Sequence, residues 1–199
     1  MKVLLYGSAH LASVTCDLLK KHHEVVGHIP SKNPRIPSTM NCRLISDETE
    51  YEHDIKLSIQ YDQKILNTDN AFNVHTGLLP EWGGCDILYH TLQDGAKEQG
   101  ITFHKITDRF DYGPIVSKTT YPVIDGDTVF TLYERLTSVL PWFVLSSLQL
   151  LETMKTDQVA MCYKEKPNIF FKEKGIKEED MQLYKESGAL LRKMYGTIR

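Results

Sequence analysis

The run Lys2–Tyr6, closed by Gly7, does most to limit what this chain can fold into. Lys-Val-Leu-Leu-Tyr is short and apolar, the pattern of a strand buried on both faces. Gly7 stops it at a turn through Ser8, Ala9 and His10. Leu11–Lys21 then reads as a helix, with Leu11, Val14, Leu18 and Leu19 near one face. His23–Ile29 reads as a second strand. Strand, glycine turn, helix, strand is the opening of an α/β fold of Rossmann-like type, with a central, mostly parallel sheet.

The turn is not a dinucleotide fingerprint, since Gly7 stands alone where G-x-G-x-x-G needs three glycines. A helix N-terminus still presents backbone N–H groups to an anion. Ser8, Ala9 and His10 are therefore candidate contacts for a substrate phosphate, the alternative being a plain structural turn. His22, His23 and His28 read as surface and strand-end residues. Pro30, Pro34 and Pro37 mark Pro30–Met40 as a loop. Arg43–Ile45 reads as a short strand, Asp47–His53 as a solvated turn, and Asp54–Ile59 as an alternating strand.

Ala71–His75 is the strand that carries chemistry. Residues i and i+2 of a strand project from one face, so Asn73 and His75 point into one cleft. Asp111 follows in Asp-Tyr-Gly-Pro-Ile, on a turn whose Gly113 permits unusual backbone angles. An amide, an imidazole and a carboxylate brought together suit acyl transfer to an amine. Asn can donate to a developing oxyanion, His can move protons near neutrality, and Asp can orient the imidazole or hold a water. The alternative is a satisfied strand histidine and an ordinary turn aspartate.

Further on, Asp86 can cap a helix over Ile87–Leu92. His90 on that helix reads as solvated, with a cleft-facing role as the alternative. Gly100–Ile106 is a strand with Ile101 and Phe103 on one face and Thr102 and His104 on the other. Ile115–Val123 is another strand. Asp127 or Thr128 caps a helix beginning at Val129, which Pro141 is expected to kink or restart. The apolar stripe beyond it, from Trp142 to Leu151, reads as core or, in part, as a homodimer face.

Asn-x-His followed by Leu-Leu-Pro, then Gly-Ile-Thr, then Asp-x-Gly-Pro-Ile, resembles the folate-dependent formyltransferase family. The resemblance is strongest from about Asp54 to Leu136. It implies a three-layer Rossmann-like formyltransferase core and an N-formyltransferase using 10-formyltetrahydrofolate as formyl donor, without a metal. It also implies catalytic roles for Asn73, His75 and Asp111. Gln60–Leu66 is similar to the family segment that walls the pterin pocket, so Gln60, Tyr61, Ile65 and Leu66 become candidate donor contacts. The alternative there is a helical turn packed on the core. Thr107, Arg109 and Phe110 lie in the loop that borders the formyl-folate in the family. Thr76 and Gly77 join Ser8, Ala9 and His10 on the amine side. Gly83 stands where relatives commonly carry a cation. The family usually has more chain before its Asn-x-His strand, so the N-terminal half is expected to be shortened between Ile29 and Asp54.

The amine expected from the resemblance is a nucleotide-linked 4-amino-4,6-dideoxy sugar. Glycinamide ribonucleotide is the alternative, although the Gly-Ser-Gly-Ser-Asn turn of those enzymes is missing. A folate- or nucleotide-binding homologue without catalysis is a third reading. A tRNA substrate is not expected, because the tRNA enzyme's C-terminal barrel has no room in 199 residues. The expected organisation is a catalytic domain over 1–155 and an extension over 156–199 with a terminal helix at Ile176–Tyr195.

A net charge of −3 with no basic, aromatic-interleaved patch argues against nucleic acid as a partner. A mean hydropathy of −0.32 and 25% charged residues describe a globular chain in water. Met1–Tyr6 is too short for a signal peptide's apolar region, and no run reaches membrane-span length. A cytoplasmic location is expected. Cys16, Cys42, Cys85 and Cys162 form no C-x-x-C pair, which argues against zinc and for reduced thiols.

Overall fold

The computed structural model describes residues 1–32 and 40–154. The extension over 156–199, its expected terminal helix and part of the Pro30–Met40 loop lie outside the described residues. Six strands form one sheet in the order β2-β1-β3-β4-β5-β6. They are β1 (Lys2–Tyr6), β2 (Glu24–Ile29), β3 (Ile55–Ile59), β4 (Ala71–His75), β5 (Glu98–Lys105) and β6 (Ile115–Pro122). β1 to β4 run parallel, and β5 and β6 are antiparallel additions at one side. The helices are α1 (His10–Leu19), α2 (Ile87–Gln93) and α3 (Val129–Thr153). The expected Rossmann-like α/β fold with a mostly parallel sheet is the fold observed. Between β2 and β3 the described chain holds only a helical turn at Glu48–Glu50 and a bridge of Leu44 to His28.

Alternation along the strands gives the sheet two unlike faces. Val3, Leu5, Ile55, Leu57, Ile59, Phe72, Val74, Ile101 and Phe103 share one buried cluster with α1 and α3. The opposite face carries Leu4, Tyr6 and Ala71 at one side, packed with Ile45 and Ile65. It also carries the row Ser58, Asn73 and His104, aligned across β3, β4 and β5. β3 is therefore buried along its whole length. The sequence pattern suggested a half-exposed alternating strand, but Lys56 is held inside by Glu48 and the Asn67 carbonyl. A buried ammonium survives when both a charge partner and a hydrogen-bond acceptor meet it.

α1 buries Leu11, Ala12, Thr15, Cys16 and Leu19, whereas Val14 and Leu18 are only half-buried. The stripe is thus one step off the expected face, because small Ala12 and Cys16 let the helix sit close to the sheet. α3 starts at a capping box in which Thr128 and Thr131 exchange hydrogen bonds. It does not restart at Pro141. Leu132, Leu136, Leu140, Val144 and Leu148 form one buried stripe that spans the proline. Each such side chain contributes about 2 kcal/mol on burial, so together they exceed the proline's cost of about 3 kcal/mol. Among the described residues no helix is long and apolar enough to cross a membrane.

Candidate active site

Register brings the chemistry together. Asn73 pairs with His104 across the antiparallel β4–β5 ladder, and His75 pairs with Thr102. Asn73 Nδ2 lies 3.2 Å from His104 Nε2. His104 Nδ1 lies 3.0 Å from the Lys105 carbonyl oxygen, which can only accept. The proton therefore sits on Nδ1, and Nε2 accepts from the Asn73 amide. His104 is 2% exposed. Burial holds its pKa down to about 4, with His75 adding to the effect and Asp111 opposing it. A neutral ring is the form that can accept from Asn73.

His75 is buried, with Nδ1 3.3 Å from Asp111 Oδ1 and Nε2 2.6 Å from the Trp82 carbonyl. Both ring nitrogens face oxygens. Asp111 Oδ2 accepts from the Gly84 N–H at 2.8 Å, and Oδ1 also stands 4.0 Å from His104 Nε2. Asn73, His75 and Asp111 thus form one cluster, with His104 as a fourth member.

The loops that close the cluster are fixed from below. Thr102 Oγ1 donates to the Gly77 carbonyl and accepts from the Leu79 N–H. Lys118 Nζ donates to the Leu79 carbonyl at 2.9 Å, next to a cis Leu79–Pro80 bond. A Cβ at Gly77 would strike the Trp82 carbonyl and come within 2.8 Å of His75 Nε2. Gly113 works differently from expectation. It is Asp111 itself that takes the left-handed conformation, at φ 53°. Gly113 is needed because its backbone lies against the Lys105 carbonyl, leaving no room for a side chain.

The other sequence candidates are distributed around this cluster. Gly7, Ser8, Gln60 and Thr76 follow β1, β3 and β4, at the carboxyl edge where open α/β sheets bind ligands. Ser8 is buried, and its Oγ accepts from the Ser31 N–H. Ala9 and His10 begin α1. Tyr61 meets Tyr6 edge-on at 5.2 Å. Ile65 is buried in the cluster with Leu4, Tyr6, Ile45 and Ala71, whereas Leu66 is 88% exposed. Thr107 and Arg109 hydrogen-bond within their loop, Arg109 lies over the Tyr112 ring, and Phe110 is 69% exposed. Asp86 stands at the N-cap of α2 but in a left-handed conformation, without a capping bond from its side chain. His90 is buried rather than solvated, beside Tyr89.

Residues 63–148 match the formyl transferase family model. Over these residues the chain is similar to the formyltransferases. It is 29% identical over 126 residues to the bifunctional polymyxin resistance protein ArnA of Wigglesworthia glossinidia brevipalpis, covering 60% of this chain and 19% of that one. It is 26% identical over 205 aligned positions to the methionyl-tRNA formyltransferase of Anaplasma marginale, covering 85% of this chain and 68% of that one. The chain thus spans about a fifth of ArnA and about two thirds of the Anaplasma enzyme. Its fold matches the sugar 3N-formyl transferase WlaRD, solved with dTDP and 5-N-formyl-THF, at a TM-score of 0.66 and 20% identity, covering 90% of this chain and 70% of that one. It matches glycinamide ribonucleotide transformylase 1 of Geobacillus kaustophilus at 0.61 and 17%, covering 75% and 97%. An N-formyltransferase of Helicobacter canadensis, in complex with folinic acid and dTDP-3-aminofucose, matches at 0.66 and 18%, covering 90% and 72%.

His104, the Trp82 carbonyl and the Gly84 N–H join the cluster without having been singled out from the sequence. His104 sits on the polar face of a strand whose other face holds Ile101 and Phe103, and that was readable. Its pairing with Asn73 was not, because antiparallel register is set by the fold.

Proposed function

We propose that this chain moves a formyl group from 10-formyltetrahydrofolate to a primary amine, with Asn73, His75 and Asp111 at the reacting centre. The observation that carries the reading is the cluster itself: the His75 imidazole against the Asp111 carboxylate, and the Asn73 amide joined to them through His104. The family match and the folate compounds in the two sugar formyltransferase structures support the donor. The donor supplies an electrophilic formyl carbon and a nitrogen leaving group. Leu66 and Phe110, on the loops after β3 and β5, are exposed apolar side chains that a flat heterocycle would cover.

The chain's own groups divide the work. Asn73 has two amide N–H groups; one goes to His104, and the second is left for a developing oxyanion. His75 takes the proton from the attacking amine and passes it to the departing nitrogen, with Asp111 holding Nδ1. For this, Nε2 exchanges the Trp82 carbonyl for substrate, a change that catalytic hydrogen bonds often undergo on binding. The amine arrives uncharged, because only a free lone pair attacks a carbonyl.

For the amine we propose a nucleotide-linked amino sugar, with the 4-amino-4,6-dideoxy class first. Two structural neighbours are sugar formyltransferases, one of them solved with a 3-amino sugar nucleotide, so both amine positions belong in the test. The test is release of tetrahydrofolate, followed by absorbance, from 10-formyltetrahydrofolate with 3- and 4-amino sugar nucleotides, glycinamide ribonucleotide and a charged initiator tRNA. Turnover with one amino sugar supports the reading. Turnover with glycinamide ribonucleotide or tRNA alone would replace the substrate, and absence of folate binding would remove the activity.

A further inference from the structure

Away from the cluster, the fold assembles a second group of reactive side chains from three separate segments. Cys16 lies buried on α1. Cys42 comes from the segment that pairs with the edge of β2, where the His28 N–H donates to the Arg43 carbonyl and the Ile45 N–H to the His28 carbonyl. His28, expected at the surface, is buried beside Cys42. Cys42 Sγ lies 3.3 Å from His28 Nδ1. Cys42 packs on the buried cluster that holds Cys16, whose thiol donates to the Cys42 sulfur. Cys42 borders an open depression of about 440 Å³, lined also by Lys20, Glu24, Arg43 and Glu52. Cys16 is 0% exposed. A reagent in solution therefore meets Cys42 before Cys16.

We infer that Cys42 is a site of thiol oxidation by hydrogen peroxide, with Cys16 as the partner that closes it into a disulfide. The electrostatics act in the same sense. The hydrogen bond from Cys16, then the His28 ring and the Lys20 charge, draw the Cys42 thiol down to about 5 against the opposing effect of burial. The same contact and burial push the Cys16 thiol up. Glu24, Glu52 and Arg43 line the same depression, with Glu52 bound to Lys2 and Arg43 over the Tyr51 ring. The Cys42 thiolate attacks one peroxide oxygen: an S–O bond forms, the O–O bond breaks, and hydroxide leaves to take up a proton as water. The sulfenic acid carries no charge, so the block on ionising Cys16 is lifted. Cys16 sulfur then attacks Cys42 sulfur; the S–S bond forms, the S–O bond breaks, and a second water leaves with the Cys16 proton. Two thiols lose two electrons and one peroxide becomes two waters.

The site can be read without any assay of formyl transfer. In the full chain, iodoacetamide labelling of Cys42 is followed by peptide mass spectrometry as a function of pH, with a free cysteine peptide as added reference. The expected profile inflects below pH 7 for Cys42 and above pH 8 for the free peptide. At pH 6 the Cys42 rate is expected to be about tenfold higher, after allowing for the weaker nucleophilicity of a low-pKa thiolate. Hydrogen peroxide is expected to join the Cys16 and Cys42 peptides with loss of two hydrogens, reversibly by dithiothreitol. Cys16→Ser is expected to leave a Cys42 sulfenic acid that dimedone traps. A Cys42 profile that tracks the free cysteine peptide, a cross-link from Cys42 to any other cysteine, or no dimedone adduct in Cys16→Ser would each overturn the inference.

Discussion

His104 holds Asn73 through a single hydrogen bond, and that bond sets a test at the scale of one side chain. His104→Ala leaves the Asn73 amide free to rotate, and the rate is expected to fall about tenfold in kcat with little change in KM. His104→Gln places an oxygen near the lost Nε2 and should recover most of it, which a loss of packing alone would not allow. Asn73→Ala removes the proposed oxyanion donor itself and is expected to cost about 100- to 1000-fold. His75→Ala is expected to cost about 100- to 10000-fold with the fold intact by circular dichroism. An active His75→Ala enzyme would remove the proposed roles. Gly77→Ala presses a methyl group on the Trp82 carbonyl and the His75 ring, so a lowered melting temperature should accompany its loss of activity. The sequence named Asn73, His75 and Asp111 because i, i+2 spacing and an Asp-x-Gly turn are local signals. It credited Gly113 with the unusual angles that Asp111 adopts, because a carboxylate seated between Gly84 N–H and His75 is a tertiary arrangement.

At the scale of elements, α3 depends on its first turn and on its stripe. Thr128→Ala removes one half of the capping box and is expected to cost about 1 kcal/mol in chemical denaturation. Leu140→Ala, beside the proline and fully buried, is expected to cost about 2–5 kcal/mol. A Leu140→Ala loss no larger than that of Thr128→Ala would mean that the stripe does not hold the helix across Pro141. Strand positions were legible to within a residue or two, since apolar runs bounded by glycine and polar turns are written in the chain. Less legible was whether a strand is covered on one face or both. Lys56 and Ser58 alternate with Ile55, Leu57 and Ile59 as they would in a surface strand. Only the partners of Lys56, drawn from Glu48 and Asn67, show why the lysine can be inside. The same limit hid His28 and Cys16–Cys42, whose meeting needs β2, α1 and a loop to be placed at once.

For the whole molecule, burying a neutral His104 ties stability to pH. Its folded pKa of about 4 is below the ordinary value of 6.5. Between those values the unfolded chain binds a proton that the folded chain refuses, so stability falls as pH drops from 6.5 toward 4. The size expected is on the order of 3 kcal/mol. Urea midpoints measured at pH 7 and pH 4.5 should differ, and His104→Gln should flatten the difference; an equal slope in both proteins would assign it to other groups.

The two faces of the sheet carry a consequence for how such a gene can vary. Asn73 and His75 alternate along β4 with Phe72 and Val74, and His104 sits between Phe103 and Lys105 on β5. Every residue on these strands is committed to one side by parity. A point substitution on the polar face can retune the chemistry and leave the hydrophobic side untouched. Deleting one codon from β4 exchanges the two sides at a stroke, turning the imidazole toward the helices and an apolar side chain toward the substrate. Changes of length are instead absorbed where parity carries no meaning, as between β3 and β4, where Gln60–Asn70 contains no regular element. Lineages of this protein should therefore drift in loop length while their strands change only by replacement.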